Sequence, residues 1–350
     1  MKKTSAKKVA VAMSGGVDSS VAALLLKEQG FDVHGFFMRN WSPLSELPND
    51  CPWQKDYEDA RKVCNYIGIP YATFNFEKEY KERVLNNFLR EYQAGRTPNP
   101  DILCNKEIKF DVFWKKAKSL GFDHMATGHY AKLEASVESS EIRLVRPKDG
   151  EKDQTYFLCK LTPEQLKHVL FPLCDLTKTE VRKIAQRAGL PNANKKDSQG
   201  ICFIGKLPVR EFLKNSLDLK PGKVMATDGS ILGEHEGAQL YTIGQRHIGV
   251  AANGKKMYVA NIDTATNTVV MAEEASLYTK AISFGQSRWF IDLPENFECD
   301  IQTRYRTPLL PATVSKNGIV RLKRPARAVT PGQYIAFYKI DQLIGSAVIS

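Results

Sequence analysis

The stretch Val9 to Gly30, VAVAMSGGVDSSVAALLLKEQG, restricts what this chain can become more than any other. The apolar run Val9 to Met13 predicts a buried strand, and the Ala/Leu-rich segment Ser19 to Gln29 predicts an amphipathic helix stopped by Gly30 at its C′ position. Between them lies a turn with two glycines. Lacking Cβ atoms, Gly15 and Gly16 let several backbone N–H groups close on an anion, and the orphan donors and positive dipole end of the helix favour phosphate. Ser14, Ser19 and Ser20 add hydroxyl donors. No GxxxxGK[ST] pattern occurs, so the lysine that reaches the outer phosphates of a P-loop NTPase has no counterpart in the loop. The loop suits pyrophosphate, not γ-phosphoryl transfer.

Strand and helix then alternate. The pattern predicts a strand over Val33 to Met38, a helix from Gln54 to Ile67 stopped by Gly68, and a strand at Tyr71 to Phe74, hence a doubly wound α/β domain with a mostly parallel sheet. Ligands sit beyond the strand C-termini in such sheets, which puts Met38 near the loop, although a core methionine is an equal reading. A helix over Glu77 to Ala94, ended by Gly95, leads into RTPNPDILCN, Arg96 to Asn105. There Asp101 stands three positions before Cys104, where it could take a proton from substrate. A helix starting near Lys106 would turn its positive end toward the sulfur and lower the thiol pKa.

His124 to Tyr130 reads as a strand entering a turn at Gly128-His129. Gly128 would let backbone approach a nucleotide, and His129 would meet phosphate or base or serve the structure alone. Ile142 to Arg146 predicts one strand of a small hairpin, followed by the polar loop Lys152-Asp153-Gln154. Capping boxes at Thr162 and Thr177 start two helices read as scaffold. In the irregular loop Asn192 to Gly205, Cys202 lies between Lys195-Lys196 and Lys206, an electropositive setting that suits a sulfur carrier. Cys51, Cys64, Cys159, Cys174 and Cys299 are expected to be small core residues.

Seven cysteines, with no CxxC and no His/Cys cluster at zinc spacing, argue against both a disulfide framework and a metal site. No membrane-length apolar run or secretory signal is present, so the expected compartment is the cytoplasm. The formal charge of +11 favours a polyanionic partner, and its distribution is uneven. Lys206 to Tyr278 is balanced at eight basic and eight acidic residues, whereas Thr279 to Ser350 carries ten against five. Short alternating runs with Arg304, Arg306, Arg321, Lys323, Arg324 and Arg327 suit a small β-barrel gripping phosphates, or else a solvated, charge-protected edge strand. The expected divisions are a catalytic domain at 1–205, a central β-rich domain at 206–278 and a C-terminal barrel at 279–350.

Ser14-Gly15-Gly16-Val17-Asp18-Ser19 resembles the SGGxDS loop of the PP-loop ATP pyrophosphatases, which adenylate a carbonyl oxygen and release pyrophosphate. Together with NPD-x-x-C, ATGHY, KDQ, DSQGICFIG, Gly244 to Gly249 and Arg327 to Gln333, it resembles the tRNA-specific 2-thiouridylases over essentially the full length. That resemblance implies ATP and Mg²⁺ as cofactors and 2-thiolation of the wobble uridine, U34, of tRNA. It implies nucleotide contacts at Ala12, Met13, Ser14, Gly15, Gly16, Val17, Asp18, Ser19, Met38 and Gly128. Cys104 would be the nucleophile, Cys202 the persulfide carrier and Asp101 the acid/base. Asn99, Pro100 and Asp101 would meet the target base, and His129, Lys152, Asp153, Gln154, Arg304, Tyr305 and Gln333 would contact tRNA. It further implies a monomer served by a sulfur-relay protein or cysteine desulfurase. Three rivals stand beside it: another RNA-modifying PP-loop enzyme, an AMP-forming small-molecule ligase, and a pure RNA binder.

Overall fold

Lys8–Met13 forms the central strand β1, and Val9 to Met13 are all buried because parallel strands flank it on both sides. The structure, a computed structural model, describes residues 6–41, 52–135, 142–197, 208–250 and 256–350. Within these, β2 (Asp32–Arg39), β3 (Tyr71–Asn75), β4 (His124–Ala126), the hairpin β5 (Lys132–Ala135) and β6 (Ile142–Val145), and β7 (Val169–Leu170) follow in order. The first sheet runs β3-β2-β1-β4-β7, and its strand pairs are parallel. Helices α1 (Val17–Glu28) and α2 (Pro52–Ile67) share one core with the helix Lys178–Arg187, in which Val21, Ala22, Leu26, Val63, Val181 and Ala185 are buried. This is the doubly wound domain that the alternation predicts. The strand expected to reach Tyr130 ends at Ala126, because the chain leaves the sheet there and turns its backbone toward α1.

The chain divides into two compact units. The first comprises Met1–Val84, Asp101–Lys206 and Asp341–Leu343, and the second Leu85–Pro100, Leu207–Ile340 and Ile344–Ser350. In the second, Phe88 of the helix Asn86–Gln93 packs against Phe212 of the helix Val209–Ser216. Strands β8 (Gly222–Ala226), β9 (Ile231–His235), β10 (Met257–Asp263) and β11 (Thr268–Glu273) form a sheet of order β10-β11-β8-β9.

Six further strands close an antiparallel barrel: β12 (Tyr278–Trp289), β13 (Asn296–Gln302), β14 (Leu310–Ser315), β15 (Ile319–Arg327), β16 (Tyr334–Lys339) and β17 (Gln342–Ile349). Closure depends on β12. Its first half pairs with β15 and its second half with β17, and each pairing contains a register shift, between Thr279 and Ala281 and between Gly285 and Arg288, that bends the strand around the barrel. Phe284, Trp289, Phe297 and Phe337 fill the interior, and Gly345 leaves space for Trp289, since a Cβ there would lie 2.5 Å from its ring. Among the described residues no helix is long and apolar enough to cross a membrane.

Candidate active site

The pyrophosphate-type loop sits at the C-terminal end of β1, and α1 begins at Val17, two residues earlier than its sequence pattern predicts. Gly16 is the N-cap and no side chain caps the helix, so its first-turn N–H groups face outward as an anion site. The three serines bond within the loop. Ser19 and Ser20 donate their hydroxyls to the Gly16 carbonyl at 3.1 and 2.9 Å, and the Ser14 and Gly16 N–H groups bond to Ser19 Oγ and Ser14 Oγ. These hydroxyls hold the loop's shape. The Gly15 carbonyl accepts from Asn192 Nδ2 at 2.9 Å and from Lys195 Nζ at 3.2 Å, and Lys195 is anchored at 2.6 Å by both Asp56 and Asp59. Gly15 has φ +74°, and a Cβ on Gly128 would stand 2.6 Å from the Ser19 nitrogen.

Ala12 and Met13 are buried at the end of β1, and Met38, half-buried, is the last residue but one of β2, the neighbouring strand in the sheet. The uncapped donors and Cβ-free backbone fit a nucleotide's phosphates. Among the described residues no group of three or more His, Cys, Asp or Glu side chains is placed to hold a metal ion.

Asp18 does not point at open solvent. Its carboxylate accepts from Lys178 Nζ at 2.6 and 2.8 Å and from the Tyr130 hydroxyl at 2.8 Å. Burial, and then Asp18 itself, push the Tyr130 phenol up. Lys178 also reaches Asp197 at 2.9 Å, and Asp197 is bound by Lys152 at 2.7 Å and Arg182 at 2.8 Å. Burial raises the Asp197 carboxyl, but the hydrogen bonds from Lys152 and Lys178 outweigh it and bring it down to about 2.

The capping box at Thr177 is present as predicted, yet reading its helix as scaffold alone missed Lys178. One signal was available. Lysine at the first helical position opposes the helix dipole at a cost of roughly 0.3–1 kcal/mol, which a facing carboxylate offsets.

The Cys104 stretch departs from expectation in one respect. Its helix starts at Pro100 and not near Lys106, so Cys104 lies inside the helix, buried, at the end of its first turn. Pro100 occupies the position where a missing N–H costs nothing, and Asp101, half-buried, falls in the favourable first turn. Beyond Cys104 the helix widens into a π-helical segment, Asn105–Val112. Gln165 secures it by donating Nε2 to the carbonyls of Lys106 at 2.9 Å and Phe110 at 3.2 Å. Asn105 donates to the Phe157 carbonyl, the Phe157 N–H bonds to Gln154, and Gln154 and Tyr130 bond reciprocally. One hydrogen-bonded path therefore runs from Asp18 of the loop to the residue after Cys104.

His129 packs its ring against Phe110 and Phe171 and bonds through Nδ1 to the Thr127 hydroxyl at 2.8 Å. Burial, with Lys109 nearby, holds its pKa well below the usual histidine range, so it is neutral. Lys152, Asp153 and Gln154 all have internal partners: Asp197, Arg146 with Thr155, and Tyr130. Cys202 lies outside the described residues, as does Cys51.

In the second unit, Gln333 donates to the carbonyls of Thr97 at 2.7 Å and Pro98 at 3.3 Å, and Asn99 reaches Gln333 Oε1 at 3.5 Å. Two expected tRNA contacts far apart in sequence are thus brought together. Arg304 and Tyr305 lie on the turn after β13, with Arg306 stacked on the Tyr305 ring at 5.2 Å. Arg321, Lys323, Arg324 and Arg327 are exposed on β15. Lys323 pairs with Glu298, and Arg327 with Glu274 and the Tyr258 ring. Arg304, Arg321 and Arg324 form no ion pair among the described residues.

Comparison with known proteins was made over the whole chain. Residues 7–206 match the family described as the tRNA methyl transferase HUP domain, 210–273 the tRNA methyl transferase PRC-barrel domain, and 279–349 the aminomethyltransferase beta-barrel domain. Proteins named tRNA-specific 2-thiouridylase MnmA are similar at full length. Those of Geobacillus thermodenitrificans and Lysinibacillus sphaericus are 48% and 46% identical, each over 98% of this chain and 94% of the relative. That of Enterococcus faecalis is 47% identical over 98% and 95%.

Proposed function

Since this chain belongs to the tRNA-specific 2-thiouridylase family, we propose that it replaces the C2 oxygen of the wobble uridine of tRNA with sulfur, consuming ATP and releasing AMP and pyrophosphate. The observation that supports this reading is the hydrogen-bonded path joining the glycine loop after β1 to the helix of Cys104. A carbonyl oxygen is a poor leaving group. Attack of the uridine C2 oxygen on the α-phosphate of ATP, with Mg²⁺ screening the phosphates, expels pyrophosphate and converts that oxygen into part of a phosphate ester. The terminal sulfur of a Cys202 persulfide then attacks C2 and AMP departs. Cys104 opens the sulfur bridge to leave 2-thiouridine and a Cys104–Cys202 disulfide, which an external thiol reduces.

Asp101, three residues before Cys104 on the same helix, serves as acid/base. Asn99, Pro100 and Asp101 meet the flipped base, and His129, Lys152 to Gln154, Arg304, Tyr305 and Gln333 face the RNA. Ala12 to Ser19, Met38 and Gly128 hold the nucleotide. The divisions 1–205, 206–278 and 279–350 correspond to catalysis, connection and tRNA grip, and a sulfur-relay protein or cysteine desulfurase loads Cys202.

The family descriptions speak of methyl transfer, so the test must separate the two chemistries. Nucleoside mass spectrometry of tRNA from cells with and without the gene is expected to show loss of 2-thiouridine, and loss of a methylated uridine instead would refute the reading. With purified protein, Cys202→Ser is expected to take up no sulfur from a desulfurase, whereas Cys104→Ser takes it up and fails to complete turnover. Peptide mapping after one turnover that finds Cys202 paired with Cys64, Cys159 or Cys174 ends the two-cysteine mechanism.

A further inference from the structure

We propose that Tyr130 is a positioning residue of the reaction, tying the loop after β1 to the widened turn beyond Cys104 so that a nucleotide on the loop changes how readily that thiol is reached. This rests on the reading that the loop takes ATP. Tyr130 takes no chemical step, yet it is buried and bonded in two directions. Its hydroxyl donates to Asp18, in the first turn of α1, at 2.8 Å. Burial, and then Asp18, push the phenol up, so it remains a proton donor. The backbone just before it follows the start of α1 without slack, since a Cβ on Gly128 would stand 2.6 Å from the Ser19 nitrogen and 2.7 Å from the Asp18 carbonyl carbon. On its other side, the Tyr130 N–H donates to Gln154 Oε1 and the Gln154 N–H donates to the Tyr130 carbonyl, both at 2.9 Å. Gln154 is the N-cap of a short helical turn, Thr155–Leu158. Its carbonyl accepts from the Phe157 N–H at 3.0 Å, and the Phe157 carbonyl accepts from Asn105 Nδ2 at 3.0 Å.

The far end of this path is an element with a second arrangement open to it. Asn105 begins the π-helical segment Asn105–Val112, and a π-turn holds about one residue more than an α-turn, so it relaxes by a one-residue change of register. Asn105 is not fully satisfied in the present register. It is 2% exposed, and its Oδ1 is buried without a hydrogen-bond partner, which is costly for a polar atom. Turning Asn105 to satisfy that oxygen moves its bond to Phe157 and shifts the residue next to Cys104. Cys104 is itself buried, so a reaction at its sulfur requires the turn around it to move. A ligand at one end that biases such an element, and a thiol at the other that responds to it, is what coupling between two sites requires.

The rate at which iodoacetamide alkylates Cys104 in the reduced full chain, read by peptide mass mapping with and without saturating ATP, tests the assignment. ATP is expected to raise that rate roughly fivefold or more in the parent. Tyr130→Phe, which removes only the hydroxyl, and Asn105→Ala, which cuts the far end of the path, are each expected to reduce the effect of ATP to less than about twofold. Tyr66→Phe loses a hydroxyl bonded to the Ala188 carbonyl, off the path, and keeps the parent's response. A Tyr130→Phe chain that responds to ATP as the parent does overturns the proposal, and so does a Tyr66→Phe chain that loses the response equally. Amide hydrogen exchange over Asn105–Val112 reads the widened turn directly in the unmutated protein. ATP is expected to alter its protection there and not in Tyr130→Phe, and equal exchange with and without ATP in the parent overturns the proposal. Calorimetry separates the two ways of failing. A parent chain that binds no ATP overturns the reading of the loop and the proposal with it, whereas binding with no change at Cys104 overturns the proposal alone.

Discussion

Gly15 and Gly16 look equivalent in the sequence, and the structure gives them different burdens. At Gly15 the backbone is left-handed, with φ +74°, and an added Cβ would meet the Asp56 carbonyl oxygen at 2.2 Å. At Gly16 the nearest atom is Ser14 Oγ at 3.3 Å, at the end of a side chain that rotates. Gly128 has ordinary φ but no room, because the Ser19 and Asp18 backbone fills the space. Gly16→Ala is therefore expected to keep the fold and most of the ATP affinity. Gly15→Ala pays a left-handed cost of about 1–2 kcal/mol on top of the clash, and Gly128→Ala pushes α1 from the end of β4. Thermal unfolding and ATP titration of the three variants check the ranking, and equal losses would refute it. The cysteines are sorted by the same criterion of space and burial. Cys64 packs its sulfur where Gly35 lacks a Cβ, and burial pushes its thiol to about 12, as it does for Cys299. Burial, followed by Asp175, also raises Cys174. None of these three is suited to carry sulfur.

Elements governed by local chemistry were legible in the sequence, and those governed by distant partners were not. The stops at Gly30, Gly68, Gly95 and Gly189 all have positive φ, and both threonine capping boxes form. A helix end is decided by residues within one turn of it. The π-helical widening after Cys104 carries no such mark, since the side chain that satisfies it, Gln165, lies 59 positions from Lys106. Gln165 works at both ends. Its Oε1 accepts from the Thr162 N–H to complete the capping box, while Nε2 holds the carbonyls of Lys106 and Phe110. Gln165→Glu keeps the capping box but turns a carboxylate oxygen toward two carbonyls. It is expected to cost about 1–3 kcal/mol in urea unfolding and to slow sulfur transfer. Thr162→Ala loses only the cap, about 1 kcal/mol, and should leave transfer close to normal. If the two variants behave alike in transfer, the widened turn has no part in placing Cys104.

At the scale of the molecule, charge was the legible property and its pairing was not. Composition locates the basic excess in the last seventy-odd residues, but only the fold separates compensated cations from open ones. The alternation on β15 turns Arg321 and Lys323 outward from Val320 and Leu322, as a barrel wall requires. Pairing then distinguishes residues that the sequence reading grouped together. Arg327 is held by Glu274 and lies over the Tyr258 ring, whereas Arg304 and Arg324 make no ion pair among the described residues. An arginine with an acidic partner must give up that partner, or share it, to meet a phosphate, so it releases fewer counterions on binding. If this surface grips tRNA, Arg304→Ala and Arg324→Ala should each flatten the dependence of log K on log salt by roughly one unit, and Arg327→Ala by clearly less. ATP affinity should be unchanged in all three, since the loop and its supporting side chains lie in the other compact unit. Filter binding across a salt series, with ATP titration alongside, measures both quantities. An unchanged slope for Arg304→Ala and Arg324→Ala would make the basic run a solvated strand protected from edge pairing, and would move the tRNA grip elsewhere on the chain.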